Sequence, residues 1–268
     1  MDAATFLGLE PTEDPRRWRL PVVTAVTSGM GALFGGCALA AGVDALERAT
    51  KRPLVWATCQ YLSFARPPAV VDIEVVEAAI GHNVTQARAV GRVDDEEIFT
   101  VNAALGTRDF PAEGSWAEMP VVPRPDDCPV RNVQERHRGS LITRLEMRRA
   151  NARDFDELPG PPGDGRVAFW ARIPGFDVSA ANLSVLGDMV PAGIGQSLGM
   201  LAGGNSLDNT LRLARLVPTE WILLDIRIQA VHGGFGHGLV HMWAEDGTLL
   251  GTASQSAIVR AWKEQPER

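Results

Sequence analysis

Residues 186–204, LGDMVPAGIGQSLGMLAGG, contain a single ionisable side chain, Asp188. A segment so apolar is expected to be a helix buried on all sides, and a carboxylate placed there needs either partners or a task. One task open to it is general-base chemistry on a water molecule. The other reading is structural: three residues before Pro191, Asp188 could cap the helix that follows, and the two roles are compatible. Gln255 poses a similar question, because it follows LLGTAS in an otherwise apolar terminal strand where an amide needs buried partners. Phe34-Gly35-Gly36 open a second apolar segment. A buried helix start directs several backbone N–H donors and its positive dipole end at one spot, and glycines let a ligand approach that backbone closely. The same glycines would equally serve to pack two helices together.

Other residue sets carry no comparable chemistry. His232, His237 and His241 have no cysteine or carboxylate completing a metal-ligand spacing, so no metal is expected and they read as hairpin and strand surface. The run GGFGHG from Gly233 lies between two strand-like runs and opens no helix, so it reads as a turn and not as a phosphate cradle. Cys59 with His82 or His137 lacks any local signature of an acyl-transfer dyad.

The formal charge of −7 and pI near 5.3 argue against a nucleic-acid partner. Three widely spaced cysteines without a CxxC fit a reducing compartment, and a cytoplasmic protein is expected. No signal peptide is visible at the start. The best membrane candidate, residues 29–43, is glycine-laden and shorter than the roughly 18 residues a span needs, so no membrane insertion is expected.

The elements that must position these residues follow from periodicity. RWRLPVVTAV reads as a strand, residues 28–49 as a buried helix, and PLVWATCQYLSFARPP, VVDIEVVEAAI, VTQARAVGRV and IFTVNAALG as four strands. Residues 107–139 are polar and punctuated by prolines, which predicts a linker. The remainder repeats the pattern: strands in LITRLEMRRA and RVAFWARIP, the helix over 186–204, then four strands. FARPP matches LARLVP, DIEVVEA matches DIRIQAV, and an acidic turn precedes the last strand of each half. A duplicated helix and meander would pair edge to edge. The expected fold is therefore α+β, a double hotdog: two β-α-β-β-β-β halves, residues 1–106 and 140–268, forming one curved antiparallel sheet around two central helices.

The segments FGGCALAAG, YLSFARPP, LGDMVPAG, SLDNTLRLARL and DGTLLGTASQSAIVR together resemble the TesB-like acyl-CoA thioesterases. The resemblance covers most of both halves but not the linker. It implies a double hotdog that hydrolyses acyl-CoA without metal or other cofactor, using a water held by an Asp, a Ser or Thr, and a Gln. By motif these are Asp188 in LGDMVP, Ser206 in NSLDNT and Gln255 in TASQSA, with Phe34, Gly35 and Gly36 as candidate backbone donors to the oxyanion. Ser206 stands where the best-known members carry Thr; by type alone it is an ordinary strand residue. Two alternatives stay open, a non-catalytic acyl-CoA-binding hotdog and a hotdog enoyl-CoA hydratase. The hydratase would need a histidine within several residues of Asp188, and none is there; the binding module would have no need of the polar trio. A homo-oligomer of double-hotdog units is compatible with the sequence. The first half lacks a carboxylate where Asp188 would repeat, Asp44 being the nearest, so one active site per chain is expected.

Overall fold

The structure is a computed structural model and describes residues 1–262; residues 263–268, placed above at the end of the second half, lie outside the described part. The first half comprises α1 (Ala3–Leu7), β1 (Glu10–Pro11), β2 (Arg17–Pro21), α2 (Gly35–Thr50), β3 (Leu54–Tyr61), β4 (Val70–Ile80), β5 (Val84–Val93) and β6 (Glu96–Gly106). The second comprises β7 (Glu146–Asn151), β8 (Arg166–Arg172), α3 (Ala180–Leu186), α4 (Val190–Leu198), β9 (Ala202–Ser206), β10 (Asp208–Leu213), β11 (Ile222–His232), β12 (Phe235–Ala244) and β13 (Leu249–Ala261).

All strands join one 13-stranded antiparallel sheet in the order β1-β2-β4-β5-β6-β3-β10-β13-β12-β11-β8-β7, with β9 paired to β13. The order reads alike from both ends, and the halves meet where β3 pairs with β10. Two edges that would otherwise be open thereby satisfy each other. Thr58 faces Thr210 at this seam, their hydroxyls 2.7 Å apart. The expected double hotdog is the fold observed.

Period-2 alternation decides which face is inside: Val71, Ile73 and Val75 of β4 are buried while Val70, Asp72 and Val76 are exposed. The inner face wraps α2, whose residues from Gly36 to Leu46 are all buried, as its apolar circumference requires. The helix starts at Gly35 and not at Ser28. Gly29 and Gly31 are poor helix formers, and residues 28–32 close a turn, with Ser28 N–H donating to Ala32 O at 2.8 Å and Gly31 in the left-handed region at φ 70°.

The single helix expected over 186–204 is not present. Helix α3 begins earlier and stops at Leu186, capped by Gly187. The chain then breaks at Asp188 and Met189 and restarts as α4 with Pro191 in its first turn, a position where the missing proline N–H costs nothing. Gly199 in the left-handed conformation ends α4, and residues 202–206 turn into β9. Asp188 therefore sits at a helix break, not within a helix.

Residues 107–139 form no named strand or α-helix, only 3-10 turns at Pro125–Asp127 and Glu135–His137. They nevertheless pack: Met119, Val122 and Cys128 cover Trp170, Trp221 and Trp243 on the outer face of the second half's sheet. Trp170 Nε1 donates to Pro123 O at 2.9 Å, which satisfies the indole where it is covered.

Candidate active site

Three elements converge on Asp188. The α3–α4 break exposes its side chain to the start of α2 on one side and to β9 and β13 on the other. Gly36, second residue of α2, donates its N–H to Asp188 Oδ2 at 2.6 Å. Ser206 at the end of β9 donates its hydroxyl to Oδ1 at 3.2 Å. Gln255 on β13, facing inward between Ala253 and Ala257, donates its amide to the same Oδ1 and to Ser206 Oγ at 3.1 Å. Its amide oxygen in turn accepts the Val190 N–H at 3.0 Å, so Gln255 ties the strand to the first turn of α4. The Asp, Ser and Gln proposed from three distant motifs are thus one hydrogen-bonded group.

The capping alternative for Asp188 is answered in an unexpected way. Met189, with no side-chain capping bond, is the cap residue of α4. Asp188 instead takes an amide from the first turn of α2, whose own cap residue, Phe34, offers no acceptor. One half's carboxylate caps the other half's helix, where a negative charge is favoured by the dipole. Burial pushes the Asp188 carboxyl up to about 6, against the downward pull of its bonds from Gln255, Gly36 and Ser206.

The three candidate oxyanion donors are separated by the structure. Phe34 N–H is already committed to Val26 O at 3.0 Å, and Gly36 N–H to Asp188. Neither is available to a substrate oxygen, which corrects the expectation for those two residues. Gly35 N–H makes no hydrogen bond among the described residues. The glycines also differ in what a side chain would meet. A Cβ on Gly35 would lie 2.7 Å from Asp188 Oδ2, 2.9 Å from Tyr61 Cζ and 3.0 Å from the Tyr61 hydroxyl. One on Gly36 would lie 2.9 Å from backbone atoms of Ser184 and Val185 in α3. Gly35 keeps the site open; Gly36 lets the two helices touch.

A cavity of about 220 Å³ lies against this group, lined by Phe34, Gly35, Tyr61, Asp188 and Ser206 and otherwise mainly by apolar side chains such as Leu33, Phe99 and Met189. A second cavity of about 260 Å³ adjoins it, sharing Arg131 and Asn205 and adding Arg153 and Arg260. Among the described residues no cluster of three histidine, cysteine or acidic groups is arranged to hold a metal, and no helix is long and apolar enough to cross a membrane. Gly233 and Gly234 take φ values of 58° and 82° and form the β11–β12 hairpin turn, as read from the sequence. Tyr61 was missed by the sequence reading. The available signal was its inward alternation with Ala57 and Cys59 on β3, which sends a phenol into the core.

Residues 125–259 match the family model described as the acyl-CoA thioesterase C-terminal domain. A candidate thioesterase of known structure from Novosphingobium aromaticivorans is 30% identical, with 94% of this chain and 98% of that chain covered and a TM-score of 0.82. The chain belongs to the TesB-like acyl-CoA thioesterases. It is a thioester hydrolase. A hot dog fold protein of unknown function from Alicyclobacillus acidocaldarius has a TM-score of 0.85 at 21% identity, covering 97% of this chain and 98% of its own. An acyl-CoA thioesterase II from Mycobacterium marinum has 0.76 at 18%, covering 97% and 99%. These two share the fold. No curated protein matches the sequence of this thioesterase.

Proposed function

We propose that the thioesterase cleaves acyl-CoA with a water held at Asp188, Ser206 and Gln255. The water oxygen attacks the thioester carbon and its proton passes to Asp188. The carbonyl electron pair moves onto oxygen, then returns to expel the CoA thiolate, which takes the proton from Asp188 and leaves as the thiol. The observation carrying this reading is the count of acceptor sites on Asp188. A carboxylate has about four lone-pair positions, and Gly36, Ser206 and Gln255 fill three. The fourth is left for a water beside the cavity. An acid with a pKa raised to about 6 is mostly ionised at neutral pH yet basic enough to accept a proton.

The enzyme then uses the two cavities differently: the apolar one takes the acyl end, and the arginine-lined one suits the phosphates of CoA. The test is thiol release from short-, medium- and long-chain acyl-CoAs. Asp188→Asn is expected to lower turnover by about 10²- to 10⁴-fold with folding intact. Near-normal turnover by the Asn variant would overturn the assignment.

A further inference from the structure

Tyr61 ends β3 with its hydroxyl buried at the active-site cavity, and that hydroxyl has no hydrogen-bond partner. A buried hydroxyl without a partner costs about 1–3 kcal/mol, so its retention here asks for a ligand that supplies one. Its same-face neighbour on the strand, Cys59, offers only a weak sulfur acceptor: the thiol is near enough to shift the phenol but lies outside hydrogen-bond geometry, and its own proton reaches Gln60 O at 3.9 Å. The phenol lies instead against the Gly35 backbone, at the stretch of cavity wall the two residues share with Asp188. A single point there, the position of the absent Cβ, is 3.0 Å from the Tyr61 hydroxyl and 2.7 Å from Asp188 Oδ2. Gly35 brings to the same place an N–H that makes no hydrogen bond among the described residues. Two donors and the carboxylate that handles the water therefore border one small volume. Hydrolysis of a thioester needs that combination, because the electrons displaced from the carbonyl must be received within about 3 Å of donors, close to the attacking water.

We propose that Tyr61 is a catalytic residue: its O–H, together with the Gly35 N–H, donates to the thioester carbonyl oxygen as that oxygen gains negative charge. No atom is transferred in this role. The phenol keeps its proton as the oxyanion forms and again as it collapses and expels the thiolate. Burial and the nearby Cys59 and Asp188 push the phenol well above the ordinary tyrosine range, so it stays a donor wherever Asp188 is a base. The inference rests on the reading that the thioester is attacked beside Asp188.

Tyr61 is the only tyrosine in the sequence, so biosynthetic incorporation of 3-fluorotyrosine alters this site alone. Tyr61→Phe is expected to lower kcat by about 10²-fold, the cost of one oxyanion donor, with KM and melting temperature near those of the native enzyme. In the fluorotyrosine enzyme the ¹⁹F resonance is expected to move when a CoA trifluoromethyl ketone binds as its anionic tetrahedral adduct. It should move much less with a CoA thioether, which has no oxygen there. Native kcat in Tyr61→Phe, or equal ¹⁹F shifts with the two ligands, would overturn the proposal. Should the Phe variant not fold, the two shifts decide. Its fate is separable from that of the water: an active Asp188→Asn beside a slow Tyr61→Phe removes the base and keeps the donor, and an inactive Asp188→Asn beside a full-rate Tyr61→Phe does the reverse.

Discussion

Asp188 is held where its charged form is useful to chemistry and costly to the fold. Its pKa in the folded enzyme, about 6, lies above the ordinary value of 3.8. The native state therefore binds a proton that the unfolded chain has released between these values, and by linkage the group favours folding below about pH 4 and loses that contribution as pH rises through about 6. Over the same interval kcat/KM should rise, as the role proposed for the free base in accepting the water's proton requires. The melting temperature of Asp188→Asn minus that of the native enzyme is thus expected to climb between those pH values, and a flat difference would show that the carboxyl is not raised. The two glycines make a second pair of expectations. Gly35→Ala should abolish turnover, because its Cβ displaces the Asp188 carboxylate and the Tyr61 ring from the reacting volume. Gly36→Ala should lower the melting temperature, because its Cβ meets the backbone of Ser184 and Val185, which cannot give way without separating the helices. Asp188 was legible as the lone charge in an apolar run. Tyr61 was not, since an aromatic on an alternating strand reads as core until the hydroxyl's lack of a partner is seen.

At the level of elements, Gln255 is the strap. Its amide oxygen holds the Val190 N–H of α4 and its amide nitrogen holds Asp188, so one side chain on β13 fixes the helix break to the sheet. Gln255→Ala is expected to destabilise the enzyme by about 1–3 kcal/mol, the cost of leaving a buried donor unpaired. It should also raise the acid limb of the pH–rate profile, because the bond that pulls the Asp188 pKa down most is lost. Ser206→Ala removes the 3.2 Å hydrogen bond to Asp188 and the 3.1 Å one from Gln255, and should slow turnover with a smaller loss of stability than Gln255→Ala, since the bond from Gln255 to Asp188 remains. Since both residues serve one carboxylate, the double variant should lose less than the product of the single losses; strictly multiplicative losses would place them in separate roles. The strands were legible because inward and outward residues alternate. The break in the 186–204 segment was not, because one carboxylate in an otherwise apolar run does not by itself mark a helix end, and only Pro191, which a helix tolerates in its first turn, marks the restart. Nor did the proline-rich connection reveal its use, since Met119 and Val122 are too few to show periodicity yet enough to cover three tryptophans.

Across the whole molecule the duplication is visible as a register. Thr58 and Thr210 face each other across the seam 152 residues apart, and Gly36 touches Asp188 at the same separation. The spacing also carries the pairing Ser206–Ala257 onto Leu54–Leu105, and Thr210–Ser254 onto Thr58–Asn102. We propose residues 1–106 and 140–268 as the repeated units joined by 107–139. Under this correspondence Asp188, Ser206 and Gln255 fall on Gly36, Leu54 and Ala103, and Tyr61 falls on Leu213, so the polar group exists once. The first half gives a helix start and a phenol where the second gives a carboxylate, a hydroxyl and an amide. An open helix N-terminus and an unpaired buried carboxylate would each be costly alone; set against each other at the pseudo-twofold they cancel, and the reciprocal position is thereby consumed. One productive site per chain follows. A CoA thioether analogue is expected to bind with a stoichiometry near one per chain by calorimetry, and Asp188→Asn to leave no slower second phase of turnover. Two productive sites per chain, or activity lost on replacing Asp44 but kept on replacing Asp188, would put the chemistry in the other half. Asp44 is turned away from the role: it is paired with Arg48 at 2.7 Å on the last turns of α2, at the far end of the helix from Gly36.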